Sequence, residues 1–216
     1  KGSVWRPKGK VSVLGLGYQG SVGALITMGA LKEGLLEEEL PAIVDGYRKA
    51  NKNIVKFWHR VEDAARHVIR NRTVYVLKMP QCKLTFGYEK GYLYITLPSG
   101  RRLYYYGAHL AGNRIRYWGL DQVKKIWTRM DAYGGLLVEN ITQAVARDIL
   151  ADSMYRMRGK VRIAMHVHDE IISQAKDSKA DETLQLMERI MSTPPWWATD
   201  LPLRGEGYIS KYYKKD

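Results

Sequence analysis

Within an apolar run from Val161 to Ser173 stand three consecutive polar residues, His168, Asp169 and Glu170. The valines, isoleucines and methionine around them have the composition of a partly buried strand. Two adjacent carboxylates in such a setting are costly to desolvate unless a cation compensates them. A divalent metal is the most economical cation, because hard Mg²⁺ prefers carboxylate oxygens and keeps positions open for phosphate. The alternative is a strand-turn-strand whose turn is merely polar. The triplet alone does not choose between them.

A second group lies near the other end of the chain. Steps of four residues from Arg6 reach Lys10, Leu14 and Tyr18. On a helix each step advances about 6 Å and rotates about 40°, so the four form one drifting stripe roughly 18 Å long. A stripe that is cationic at its start and aromatic at its end suits a nucleotide lying along it. Phosphates would meet Arg6 and Lys10, and sugar and base would lie near Leu14 and Tyr18. The competing reading is a glycine-rich amphipathic helix with a solvated basic end. Gly15 and Gly17 inside a helix cost about 1 kcal/mol each against alanine, which implies either close backbone approach or a segment meant to move. Gly15, Gly17 and Gly20 lack the strand-to-helix setting of a dinucleotide-binding fingerprint.

The elements that must position these groups are readable from composition and period. The 216 residues suffice for one good core, or a large domain with a small appendage. Thirty-five Lys and Arg against 22 Asp and Glu give a net charge of +13, which predicts a polyanionic partner, nucleic acid first and an anionic membrane surface second. Fifteen Tyr and six Trp are enough to supply stacking surfaces. The lone Cys82 excludes an internal disulfide and any multi-cysteine zinc site. No apolar run approaches the roughly 20 residues of a membrane span, and the first residues show no signal peptide. The chain opens in a basic segment, as if cut from something longer.

Residues 37–50 read as a helix, acidic at its start and basic at its end, as the macrodipole prefers. Trp58, Val61, Ala65, Val68 and Ile69 mark a second amphipathic helix to about Arg70. From Val74 to about Trp118 the period changes to two, with turns at Lys90-Gly91 and Pro98-Ser-Gly100, predicting an antiparallel excursion. Arg101, Arg102, Arg114 and Arg116 stand among its tyrosines, where they are either phosphate contacts or simply solvated. Asp131 to Arg158 is the longest helical pattern, with Glu139, Gln143 and Arg147 on a face away from its apolar stripe. A helix over Ala180–Met191, a last strand near Leu201–Tyr208 and a basic, aromatic tail from Lys211 to Asp216 complete the reading. The tail is either a phosphate contact or a soluble terminus.

Three signals therefore stand in a fixed order: the stripe Arg6, Lys10, Leu14, Tyr18; Gln143 on a long helix; and His168-Asp169-Glu170 between strands. With the runs Gly9-Lys-Val-Ser-Val-Leu-Gly-Leu-Gly-Tyr18, Leu97-Pro-Ser-Gly-Arg-Arg-Leu-Tyr104, Glu139-Asn-Ile-Thr-Gln-Ala-Val-Ala-Arg-Asp148 and Met165-His-Val-His-Asp-Glu170, the chain resembles the family A DNA polymerases, in particular their phage and prophage members. The resemblance covers nearly the whole chain. It implies an α+β fold, a helical fingers subdomain plus part of an antiparallel-sheet palm, making an incomplete polymerase right hand. The regions would be 1–73 (fingers-like helices), 74–130 (β-rich excursion) and 131–216 (palm-like helix, strand-turn-strand and C-terminal segment).

Position by position, the resemblance implies that Arg6 and Lys10 bind the incoming dNTP, with Lys10 also a proton donor to the leaving pyrophosphate. Leu14 would face the sugar, and Tyr18 would sit beside the nascent base pair. Gln143 and His168 would touch the minor-groove side of the primer-template, and Arg102 its backbone. Asp169 would be one of two metal-binding aspartates, with Glu170 an auxiliary carboxylate. Family members carry Phe or Tyr where this chain has Leu14, and commonly Gly where it has Gln19. Pro7 biases its predecessor away from helical geometry and best fills the first helical position, which leaves Arg6 just outside the helix.

The family's other catalytic aspartate precedes the fingers helix, and nothing before Arg6 supplies it. Asp45 follows that helix, sits in a helical pattern and is rejected. The expectation is thus a DNA-directed DNA polymerase that is incomplete on its own, using two Mg²⁺ ions with one carboxylate ligand set absent from this chain. Its partners would be primer-template DNA, dNTP and a companion polypeptide carrying the N-terminal polymerase part, with no membrane. Its location would be the cytoplasm of a bacterial host. The alternatives are a non-catalytic basic DNA-binding module and a decayed prophage remnant.

Overall fold

The computed structural model describes residues 5–214, with Trp5 described by its backbone alone. The fold is α+β and divides into two compact units. One takes in the chain to Lys78 and Lys83–Thr142; the other takes Met79–Cys82 and the chain from Gln143 onward. No helix among the described residues is long and apolar enough to cross a membrane.

In the first unit, α1 (Trp5–Leu16) and α2 (Val22–Thr27) lead through a short 3-10 turn to α3 (Leu40–Ala50) and α4 (Lys52–Asn71). Leu16, Leu25, Ala30, Leu40 and Val44 make a small helical core. Close approach explains Gly15 in α1 and Gly20 in the turn after it, whereas Gly9 has open space around it. A Cβ on Gly15 would stand 3.0 Å from Leu25 Cδ2, and one on Gly20 would overlap the Gly15 carbonyl oxygen at 1.8 Å. Two expectations are corrected here. Arg6 lies inside α1, because Pro7 falls in the first turn, where its missing N–H has no intrahelical acceptor to lose. The helix ends at Leu16, so it carries Arg6, Lys10 and Leu14 but leaves Tyr18 in the following turn.

Six antiparallel strands follow in sequential order: β1 (Val74–Lys78), β2 (Lys83–Glu89), β3 (Tyr92–Thr96), β4 (Arg102–Ala111), β5 (Arg114–Leu120) and β6 (Trp127–Ala132). The sheet runs past the expected end near Trp118, and Asp131 belongs to β6, where it pairs with Arg116 at 2.8 Å. Strand period 2 sends Leu77, Leu84, Phe86, Leu93, Ile95 and Tyr105 to one face. That face packs on α4, whose Trp58, Val61, Ala65 and Val68 are buried at helical spacing.

The long helix α5 (Gly134–Met157) begins where α4 and the turn after α1 meet. The Gly134 amide donates to Glu62 Oε2 at 3.0 Å, and the Gly135 amide to Gln19 Oε1 at 2.8 Å. Two of the amides that a helix start leaves without intrahelical partners are thereby satisfied. There is no room for a side chain at either position. A Cβ on Gly134 would lie 2.2 Å from the Trp58 carbonyl oxygen, and one on Gly135 2.1 Å from that of Tyr18.

In the second unit, α5 ends at Met157 and Gly159 takes a left-handed φ of 75°, the usual helix stop. A hairpin of β7 (Ile163–Val167) and β8 (Glu170–Ser173) and the helix α6 (Ala180–Met191) enclose a core of Met157, Met187 and Ile190. The expected strand near Leu201–Tyr208 does not form. Its backbone is instead taken by side chains at the end of α6: the Gly205 amide donates to Ser192 Oγ and the Gly207 amide to Glu188 Oε1, each at 2.9 Å. Of the expected basic tail, Lys215 and Asp216 lie outside the described residues, as do Lys1–Val4 of the basic opening segment.

Gly134→Ala and Gly135→Ala should each destabilise by about 1–3 kcal/mol through overpacking against backbone, whereas Gly46→Ala, with open space around it in α3, should stabilise by roughly 0.5–1 kcal/mol; urea unfolding measures both. Burial pushes the Tyr105 phenol up to about 12, outweighing the hydrogen bond it accepts from Asn140 Nδ2 at 3.0 Å. Unfolded, the group titrates near 10.0. Above that pH the unfolded chain gives up a proton that the fold retains, so this contribution is complete below pH 10 and lost progressively toward 12. Melting temperature should fall over that range, and less steeply in Tyr105→Phe.

Candidate functional site

The hairpin tip carries the triplet. Val167 pairs with Glu170, leaving His168 and Asp169 as a two-residue loop. His168 has φ 51°, and Asp169 is not among the positive-φ residues. Two-residue loops with a left-handed first position normally place glycine there, so a histidine holds the slot at some cost in backbone energy. Such strain is often kept where a side chain is needed. Asp169 is exposed at the tip, and Glu170, half-buried, begins β8.

Tyr213, from the C-terminal tail, donates its hydroxyl to Glu170 Oε2 at 3.1 Å. The hydrogen bond to that carboxylate holds the phenol above its ordinary value. Lys211 ties the same tail to Asp177 at 2.6 Å. Beside the hairpin, Arg147 of α5 donates Nη2 to His166 Nε2 at 3.3 Å, and because guanidinium has only donors, that ring nitrogen accepts. Gln143 stands one turn earlier on the same exposed face of α5. This unit therefore groups Asp169, Glu170 and His168 on one hairpin, with Gln143 on the helix that touches it.

Sequence reading missed Tyr213 and Arg147 as members of this group. The tail showed only tyrosine among lysines, and its target lies 43 residues away. Arg147 was visible as the third residue of a polar face, but the histidine opposite it was not.

In the other unit, α1 presents Arg6 and Lys10 exposed, neither engaged in an ion pair among the described residues, while Lys8 reaches back to the Gly34 carbonyl at 2.9 Å. Leu14 is 47% exposed on the same helix. Tyr18 is held by its backbone against Gly135, and Gln19 takes φ 69° to aim its amide there. Gln19 thus adopts a backbone conformation that favours glycine and adds a cap. Arg102, on β4, stacks over the Tyr94 ring at 4.4 Å, and no hydrogen bond or ion pair joins it to α1 among the described residues.

The oxygen donors Asp169 and Glu170 suit Mg²⁺ in kind, and that ion uses one or two carboxylates together with substrate phosphates. No group of three or more His, Cys, Asp or Glu that could hold a metal occurs among the described residues. The hairpin fits one arm of such a site.

The backbone at His168 is directly testable. His168→Gly and His168→Ala remove the same imidazole contacts, so their difference isolates the left-handed backbone. The glycine variant should be the more stable by about 1 kcal/mol in chemical unfolding, and equal stability would show that the turn carries no strain.

No family model matches this chain, and no solved structure matches it. Over 223 aligned residues and its entire length it is 47% identical to a DNA polymerase of Bacillus phage SP02. It spans 34% of that relative's length. From end to end, the chain is similar to about a third of a phage DNA polymerase.

Proposed function

We propose that this chain forms the nucleotide-binding helix and one metal-binding arm of a family A DNA-directed DNA polymerase. The similarity to a phage DNA polymerase carries this reading, because it extends over every residue of the chain and so takes in both α1 and the β7–β8 hairpin. The cationic helix and the adjacent carboxylates have the chemistry that the reading requires.

Arg6 and Lys10, exposed on α1 and without an ion pair among the described residues, bind the triphosphate of the incoming dNTP, and Lys10 protonates the leaving pyrophosphate. Leu14 packs against the sugar; an aliphatic side chain there gives contact without the flat face or hydroxyl of an aromatic one, which weakens discrimination at the 3′ position. Tyr18, fixed by the α5 cap, stands beside the nascent base pair. Gln143 and His168 touch the minor-groove side of the primer-template and Arg102 its backbone. Asp169 and Glu170 hold Mg²⁺, with Tyr213 orienting Glu170. The chemistry that bound Mg²⁺ would supply there is activation of a primer 3′-hydroxyl and neutralisation of phosphate charge. The remaining carboxylates come from polypeptide outside these 216 residues, on a companion chain or a preceding region. The rest of the work is positioning and electrostatics, as in other phosphoryl transfers.

Primer extension by the chain together with a companion supplying those carboxylates tests the assignment. Asp169→Asn should lower the rate by roughly 10²–10³-fold, the usual cost of losing a charge-stabilising group at a reacting centre, and Lys10→Ala should lower kcat more than it raises KM for dNTP. Undiminished extension by Asp169→Asn would remove Asp169 from the reaction.

A further inference from the structure

The sheet has a second face that, among the described residues, the helices of its own unit do not cover. Register places Tyr92, Tyr94, Tyr104, Tyr106 and Trp118 together on it, opposite the face packed on α4. The rings run on from one to the next: Tyr94 to Tyr104 at 6.4 Å between centroids, Tyr104 to Tyr92 at 6.1 Å, Tyr92 to Tyr106 at 5.1 Å. Trp118 is Tyr106's partner across the next strand pair. Tyr104 is 59% exposed and Tyr106 48%, far more than rings that serve a core.

Two of the rings lie down on the sheet. A Cβ on Gly87 would overlap the Tyr94 ring at 2.2 Å, and one on Gly107 would come within 2.8 Å of Trp118. Each ring carries a guanidinium: Arg102 sits 4.4 Å from the Tyr94 centroid and Arg129 5.2 Å from that of Trp118. Tyr94 is buried beneath Arg102, so the open rings of the row are Tyr92, Tyr104 and Tyr106. Register also puts Lys78, Lys83, Arg102, Arg114, Arg116 and Arg129 on this face, against Glu89 and Asp131. Asp131 is engaged by Arg116. Cations therefore outnumber acids across the aromatic surface.

We infer that this face is a stacking platform for single-stranded DNA, with the bases on the tyrosine row and the phosphates on the flanking arginines and lysines. Aromatic rings interleaved with cations are how proteins hold unpaired strands without reading sequence. In a duplex the base faces are stacked on one another and closed to such rings. The excess of positive charge favours a polyanion over an apolar protein surface. The occupant is the unpaired stretch of a template, an identity that rests on the polymerase reading; the platform itself does not.

Fluorescence anisotropy with labelled oligo(dT), in EDTA and without nucleotide, tests it on the whole chain. Tyr104→Ala/Tyr106→Ala should weaken oligo(dT) binding by roughly tenfold or more, given the usual value of one base-ring stack. Tyr104→Phe/Tyr106→Phe should keep it, and blunt duplex binding should be the same in all three proteins. Should the alanine pair fail to fold, Arg129→Glu on the same face must weaken oligo(dT) binding. Wild-type affinity in the alanine pair, an equal loss in the phenylalanine pair, equal losses on duplex, or tighter binding of oligo(rU) than oligo(dT) would each overturn the inference. Because the assay uses neither metal nor dNTP, a failed polymerase assignment leaves it readable, and its failure leaves primer extension untouched.

Discussion

Much of the first unit depends on how the N-terminus of α5 is buried. Its first amides need acceptors, and these come from Glu62 on α4 and Gln19 in the turn after α1. Those acceptors reach only if the two backbones come closer than any side chain permits, which is why Gly134 and Gly135 stand there. A buried amide left without its partner costs about 1–3 kcal/mol, so the capping contacts hold α4, the post-α1 turn and α5 as one junction. Tyr18 is fixed as a consequence. Its neighbour Gln19 adopts a left-handed backbone, and Trp58 donates its indole N–H to the Gly17 carbonyl at 3.1 Å.

That junction explains why a short and glycine-rich helix can present charge usefully. The apolar side of α1 is committed to α2 and α3, and Lys8 to a carbonyl. Arg6 and Lys10 are left facing solvent, where a polyanion gains most from them. The carboxylates Asp169 and Glu170 belong to a different unit and are built on a different device, a two-residue turn whose left-handed residue is a histidine.

Elements with strong periods were legible in the sequence. The α6 boundaries, the helix ending near Arg70, the β excursion and the hairpin around His168-Asp169 followed from apolar spacing and turn residues. What escaped was set by contacts distant in sequence. The Gln19–Gly135 cap joins residues 116 apart, and neither residue announces the other. The Leu201–Tyr208 segment has strand composition, but its amides found side-chain acceptors on α6 rather than another strand. Arg6 lies inside α1 because the first turn of a helix tolerates proline, so Pro7 does not push its predecessor out of the helix. On the sheet, period 2 foretold alternation but not that glycines would let two rings lie flat beneath arginines.

In the proposed function, α1 and the hairpin serve one template-directed reaction. The most direct measurement is the affinity of this chain, with its companion polypeptide, for a primer-template in the presence of Mg²⁺ and each dNTP in turn. A polymerase site predicts that the nucleotide complementary to the template base tightens the complex and that the other three do not. Binding that is salt-sensitive but indifferent to nucleotide and Mg²⁺ would contradict the account and leave a basic DNA-binding module in its place.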